Sequence, residues 1–177
     1  MKKASSIFLR ADMEPADVKN LAGWMANRAV TRYLNEEQSA AEQLRNLLDT
    51  VPAPMLTYYF NQNGRFFMVC GDGQGSIGFV KLKELTDQRC YEIVFAIGDE
   101  TLWGNGYGSK AVQAAEVQAF LHWRARKLTA KIYHGNVRSV RTVCRCGFRE
   151  ERRLDALSHF SITQEEYFAF LEKKRAC

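Results

Sequence analysis

Residues 103–110 read Trp-Gly-Asn-Gly-Tyr-Gly-Ser-Lys, with three alternate glycines between a strand-like run and a long amphipathic stretch. Glycine turns the backbone at positive φ and lets it approach a ligand closely. The first N–H groups of the helix that follows have no internal partners and carry the positive end of its dipole. Such a junction is an anion site whose natural occupant is a phosphate or pyrophosphate.

Spacing sorts the phosphate-binding alternatives. A Walker loop needs Gly and Lys five and six positions after its first Gly, and counting from Gly104 gives Ser109 and Lys110. The second glycine of that motif is missing. Gly106, Gly108 and Ala111 satisfy the dinucleotide pattern G-x-G-x-x-A, but that motif also wants a carboxylate for the ribose at the end of the next strand. The next strand, Leu128 to Tyr133, leads into His134 and Gly135, so a nicotinamide or flavin role is disfavoured.

The loop resembles the acyl-CoA pyrophosphate loop of the GNAT N-acetyltransferases, Arg/Gln-x-x-Gly-x-Gly/Ala. Trp103, Gly106 and Gly108 fall on its three defining positions. Trp103 departs from Arg/Gln, and a Trp-Gly-x-Gly-Tyr-Gly form is common in the branch related to ribosomal-protein-alanine N-acetyltransferases. Cys90 to Gly98, CYEIVFAIG, is similar to that branch's fourth strand, with Glu92 matching its glutamate. Gly135 to Phe148, GNVRSVRTVCRCGF, resembles the family's Asn-x-x-Ser/Ala segment closed by Gly-Phe, through Asn136, Ser139, Gly147 and Phe148. The likeness extends over nearly the whole chain.

What the resemblance implies is acetyl transfer from acetyl-CoA to a primary amine in one domain, residues 1–177. Backbone groups of Phe95 and Ile97 would meet the pantetheine, joined by Asn136 and Ser139. The loop of Trp103, Gly104, Asn105, Gly106, Tyr107, Gly108, Ser109 and Lys110 would hold the pyrophosphate, with Arg141 a further phosphate partner. Glu92 is the candidate base for an amine that is mainly ammonium at neutral pH. The alternative for Glu92 is an ordinary solvent-side strand residue. Many family members use a Tyr seven positions after the Asn to protonate the departing thiolate; Val143 stands there. Ser109, Tyr133 or His134 would have to substitute, or solvent, since a thiolate leaves readily. Trp24, Tyr33 and Glu36 are acceptor-side candidates. Trp24 also suits an apolar helical face, and Glu36 with Glu37 also suits the start of a helix.

Working outward, Ser6 to Arg10 reads as a short edge strand, and Glu14-Pro15 starts a helix to about Asn27. A second helix is expected from about Glu36 to Leu48, stopped by Val-Pro-Ala-Pro. Thr57 to Phe60, Arg65 to Cys70, Ser76 to Leu82 and Cys90 to Ile97 read as a strand meander. Helical spacing from Ser109 to about Arg126, a strand at Leu128 to Tyr133 and a helix at Asn136 to Cys146 follow. Two strands and a short helix, Gln164 to Lys173, close the chain. The order predicts an α+β fold, a mixed, mostly antiparallel twisted sheet flanked by helices, in which one parallel strand pair splays to admit a ligand.

The 177 residues, 46% of them hydrophobic, suit a single core. No apolar run is long enough to span a bilayer, and no signal-peptide core follows Met-Lys-Lys. Five cysteines, an odd number without disulfide-type spacing, fit a reducing, cytoplasmic setting. Cys144 and Cys146 point to different faces of a helix, and metal ligation is not expected. The net charge of +5 gathers in the C-terminal half, which suits a polyanionic cosubstrate; nucleic acid is disfavoured without an aromatic ladder or zinc-finger spacing. Beside the enzyme stands a non-catalytic acyl-CoA-binding or regulatory module. An unpaired edge strand can support a homodimer.

Overall fold

The computed structural model describes residues 6–34, 39–73 and 75–176. Strand β1 (Ile7–Arg10) leads to helices α1 (Pro15–Ala26), α2 (Arg28–Thr31), α3 (Ala40–Thr50) and α4 (Leu56–Phe60). Strands β2 (Gly64–Gly71), β3 (Gly75–Glu84) and β4 (Cys90–Ile97) follow. Helix α5 (Tyr107–Glu116) continues as a π-helical segment, Val117–His122, before β5 (Lys127–Tyr133) and α6 (Val137–Arg145). Strands β6 (Arg149–Arg153) and β7 (Leu157–Thr163) and helix α7 (Gln164–Ala176) complete the order.

The strands form a seven-stranded sheet, β1-β2-β3-β4-β5-β7-β6. All neighbours are antiparallel except β4 and β5, the expected parallel pair. Period-2 alternation on β4 splits its side chains between two cores. Ile93 and Ile97 join a cluster with Val112, Ala115 and Phe120 of α5 and its extension. Val94 and Ala96 pack on the opposite face, with Leu21 of α1 and Leu56 of α4. The sheet is therefore covered by helices on both sides.

The N-terminal elements are tied by one buried carboxylate. Pro15 opens α1 in the first-turn position where no N–H is needed, and Glu14 N–H donates to Asp17 Oδ2 at 2.8 Å. Asp17 Oδ1 accepts from Arg10 Nη2 at 2.8 Å and from Ser76 Oγ at 2.7 Å, so β1, α1 and β3 share one anchor.

Residues 57–60 correct the sequence reading: Thr57 to Phe60 lies in helix α4, not in a strand. Leu56 is buried and Phe60 packs on the same core, while Tyr58 and Tyr59 are exposed; in a strand Tyr58 would share the face of Leu56 and Phe60. Met13 N–H donates to Thr57 Oγ1 at 2.9 Å and Asn61 Nδ2 to Thr57 O at 2.6 Å, holding the turn. Tertiary burial overrides the β propensity of Thr, Tyr and Phe. The second helix is described from Ala40 to Thr50; Glu36, where its start is expected, lies outside the described residues.

Glu116 ends α5 inside the core, 1% exposed, and burial pushes its carboxyl up to about 8, with Lys174 pulling weakly the other way. The folded state thus keeps a proton that the unfolded chain releases near 4.5. Stability conferred by that proton is fully present below 4.5 and is lost as pH rises through about 8. Glu116→Gln is expected to flatten this slope and to raise stability at pH 8.5 by about 2–4 kcal/mol. Urea denaturation of both proteins at pH 5 and pH 8.5 measures it, and an equal pH dependence in the two would refute the assignment.

Candidate active site at the splayed strands

β4 and β5 pair only at Cys90–Lys127, Tyr91–Leu128 and Glu92–Thr129. Beyond Glu92 they separate, although β4 runs on to Ile97 and β5 to Tyr133. Gly98 N–H donates to Ile77 O across β3 and β4 at 2.9 Å. Because antiparallel bonding alternates, Ala96 and Val94 turn their backbone groups to β3, and Phe95 and Ile97 turn theirs into the gap. Trp103 fills part of this edge: its Nε1–H donates to Ile97 O at 2.8 Å.

At the mouth of the gap, Gly104 and Gly106 have φ of +80° and +90°, the left-handed region that a glycine tolerates. Gly106 is the N-cap of α5, so the amides of Tyr107, Gly108 and Ser109 form its open first turn. Asn105 braces the loop from behind through Nδ2, which donates to Leu102 O at 3.3 Å. Helix α6 stands opposite. Asn136 caps it by accepting from Ser139 N–H at 3.2 Å, and Thr142 approaches the space over Gly108. Arg138 places its guanidinium 3.9 Å from the centre of the Trp103 ring, joining the loop after β4 to the helix after β5.

These elements enclose a cavity of about 300 Å³. From β4 and its loop it takes Phe95, Ala96, Ile97, Trp103, Gly104 and Gly106, and from α5 Tyr107, Gly108 and Ser109. From α6 and its cap come Asn136, Arg138, Ser139, Arg141, Thr142 and Arg145; Tyr33 and its neighbours on α2 close the remaining side. Among the described residues no carboxylate lines it. A second cavity, about 570 Å³, shares Tyr33, Trp103, Asn136 and Arg138 with the first and adds Arg32 and Glu100.

Most sequence-selected residues thus meet at one cavity. Asn105 and Lys110 adjoin it without lining it. Trp24 packs in the second core, directly over Gly98, where a β-carbon would come within 2.1 Å of the indole. Glu36 lies outside the described residues. Glu92 sits at the closed apex of the gap, 14% exposed, with Oε2 at 2.7 Å from Lys131 Nζ. It lies three residues below Phe95, about 10 Å along the strand. His134 Nε2 is 3.1 Å from Ser158 Oγ, and Ser158 donates to Glu150, on the far side of β5 from Glu92. Val143, at the position where the resemblance places a Tyr, is fully buried. Cys146 is buried, which pushes its thiol up to about 12, while Cys144 is exposed. The sequence reading singled out Arg141 alone and left Arg138 and Arg145 within the basic C-terminal half. Their spacing with Arg141, i, i+3 and i+7, was the signal that they share a side of α6.

An α+β sheet whose one parallel pair parts beside a glycine-rich helix N-terminus defines an acyltransferase-type cleft. A family model, the GNAT acetyltransferase domain, matches residues 7–149. The chain belongs to the GNAT family and is an N-acetyltransferase. No curated protein matches it. Among solved structures, spermidine N-acetyltransferase from Vibrio cholerae, in complex with CoA and spermine, is 22% identical with a TM-score of 0.77, over 92% of this chain and 98% of that one. A GNAT-family acetyltransferase from Bacillus anthracis is 20% identical with a TM-score of 0.73, over 92% and 98%. The aminoglycoside acetyltransferase AAC(6')-Ib in complex with coenzyme A is 16% identical with a TM-score of 0.74, over 93% and 98%. At these identities the likeness is one of fold. Among the described residues no helix is long and apolar enough to cross a membrane, and no group of three or more His, Cys, Asp or Glu is placed to hold a metal ion.

Proposed function

We propose that residues 1–177 form one domain that binds acetyl-CoA in this cavity and moves the acetyl group to a primary amine, of a protein N-terminus or of a small molecule such as a polyamine, amino sugar or aminoglycoside. The observation that carries this reading is the continuity of one cavity from the open amides of α5 to the gap-facing backbone of Phe95. The amides of Tyr107, Gly108 and Ser109 hold pyrophosphate at the helix N-terminus. Phe95 offers both backbone groups, and Ile97 its N–H, to the pantetheine amides in the manner of an added strand. Asn136 uses Oδ1 for its cap and keeps its Nδ2 donor for the same chain.

The amine attacks the thioester carbonyl directly: the N–C bond forms and the C–S bond breaks, so no enzyme nucleophile intervenes. A gap-facing N–H of β4 polarises the carbonyl, a contribution of about 3 kcal/mol in comparable sites. Glu92 takes the amine proton, and its separation from Phe95 calls for a relay of water molecules, since one water spans only about 5–6 Å. Tyr33, which lines both cavities, contacts the acceptor. With Val143 buried, solvent protonates the departing thiolate. Free Cys70, Cys90, Cys144 and Cys146 support a reducing, cytoplasmic setting. An exposed edge, β1 or β6, supports a homodimer.

Titration calorimetry with CoA tests the cavity assignment. One CoA per chain is expected, and a chain that binds none would overturn it.

A further inference from the structure

On the side of the sheet away from α5, the strands beyond the gap are uncovered. Leu128, Ala130 and Ile132 of β5 and Phe160 and Ile162 of β7 all turn to the core under α5. Among the described residues, none from β5, β6 or β7 belongs to the second core, which α1, α3 and α4 build over the other strands. Alternation therefore puts Lys131 of β5 and His159 of β7 on an open polar face. Glu92 shares that side of the sheet with Val94 of the second core.

Register turns this face into a charged row. Lys131 pairs with His159 and His159 with Arg152, so three strands set two cations and an imidazole side by side. At about 4.8 Å between strands the row is about 10 Å long. Lys131 and Arg152 are exposed and His159 is half-buried. The row begins at the candidate base, because Lys131 Nζ lies 2.7 Å from Glu92 Oε2. Its far end lacks a counter-charge. Glu151 is held by Lys127 at 2.6 Å, and Glu150 turns to the opposite face with Phe160, where it accepts from Ser158. Among the described residues Arg152 is in no ion pair.

These charges disfavour a polycation. Lys131 stands on β5 two residues beyond Thr129, the strand partner of Glu92, and so beside the mouth of the gap. A polyamine or aminoglycoside arriving there meets Lys131 as a like charge and finds Glu92 already paired. An acceptor with a carboxylate close to its amine instead draws Lys131 onto itself and frees Glu92 to take the amine proton through water. A further acidic group then reaches Arg152. An extended chain advances about 3.3 Å per residue, so about three residues span the row.

We propose that this open face of β5, β7 and β6 is the docking surface for the acceptor, and that the acceptor is an extended protein N-terminus with acidic side chains at its second to fourth positions, met by Lys131, His159 and Arg152. The proposal rests on the acetyl-transfer reading of the site with Glu92 as its base.

The test follows thiol release from acetyl-CoA with three acceptors: a peptide that begins with Ala and continues with Asp and Glu, the same peptide with Lys in their place, and spermine. For the wild type, kcat/KM is expected to be about 30-fold higher for the acidic peptide than for the lysine peptide, through KM, and the ratio narrows as ionic strength rises. Arg152 touches neither Glu92 nor the CoA cavity, so Arg152→Glu isolates the row. That variant is expected to cut the ratio to about threefold, with CoA affinity by calorimetry equal to that of the wild type as the sign that it is folded. Equal wild-type kcat/KM for the two peptides, or a preference for spermine, would overturn the docking surface alone, as would an unchanged ratio in Arg152→Glu. No thiol release with any of the three would overturn it together with the acetyl-transfer reading.

Discussion

Gly106→Val removes CoA binding altogether, an expected loss of at least about 100-fold in affinity, while the chain stays folded. Two effects act at once. At φ of +90° a β-branched residue is strained, and relief of that strain rotates the amides of the first turn of α5 away from the cavity. The side chain also intrudes where a phosphate must approach the backbone. Gly73→Val is the matched control. Gly73 has φ of +72°, lies outside the cavity and has open space around its missing β-carbon. It incurs comparable strain and is expected to keep CoA affinity within about twofold of the wild type. Calorimetry of the two variants separates loss of the anion site from loss of stability. Normal CoA binding by Gly106→Val would remove the loop from the phosphate role.

Glu92→Gln is the second large effect. The amide cannot take a proton, so kcat is expected to fall by about 100-fold with acetyl-CoA affinity unchanged. The loss should shrink as pH rises, because an alkyl amine with a pKa of about 10 becomes increasingly unprotonated without help. In the folded chain Lys131 holds Glu92, and an acceptor ammonium competes for the same carboxylate. A pH–rate profile in which wild type and variant stay parallel would take Glu92 out of the base role and leave it as the ion-pair partner of Lys131.

Much of this site was legible before the fold was known, for a local reason. The glycine loop, its preceding strand and its following helix are contiguous, so spacing alone places Gly106 at the cap of α5 and Phe95 on the strand before it. The parallel pairing of β4 with β5 was legible for the same reason, since a helix between two strands makes them parallel neighbours. What escaped depends on contacts distant in sequence. Leu56 to Phe60 carries strand-forming residues, yet the core beside α1 is reached only by one helical face. The inward aim of Arg138 follows from the Trp103 ring, 35 positions earlier in the sequence, and no local pattern encodes that pairing. Glu116 reads as an ordinary polar position on an amphipathic helix, and only α6 and α7 packing over it make it a buried acid.

The property that defines this cleft is transfer of an acetyl group. The most direct measurement follows free thiol released from acetyl-CoA by the wild-type chain, against N-terminal peptides, polyamines, amino sugars and aminoglycosides, with the acetylated amine identified by mass spectrometry. Thiol release matched one for one by acetylated product, with at least one class of amine and absent in Gly106→Val, is the predicted result. Tight CoA binding with no acetylation of any amine would contradict it and leave the chain a CoA-binding regulatory module.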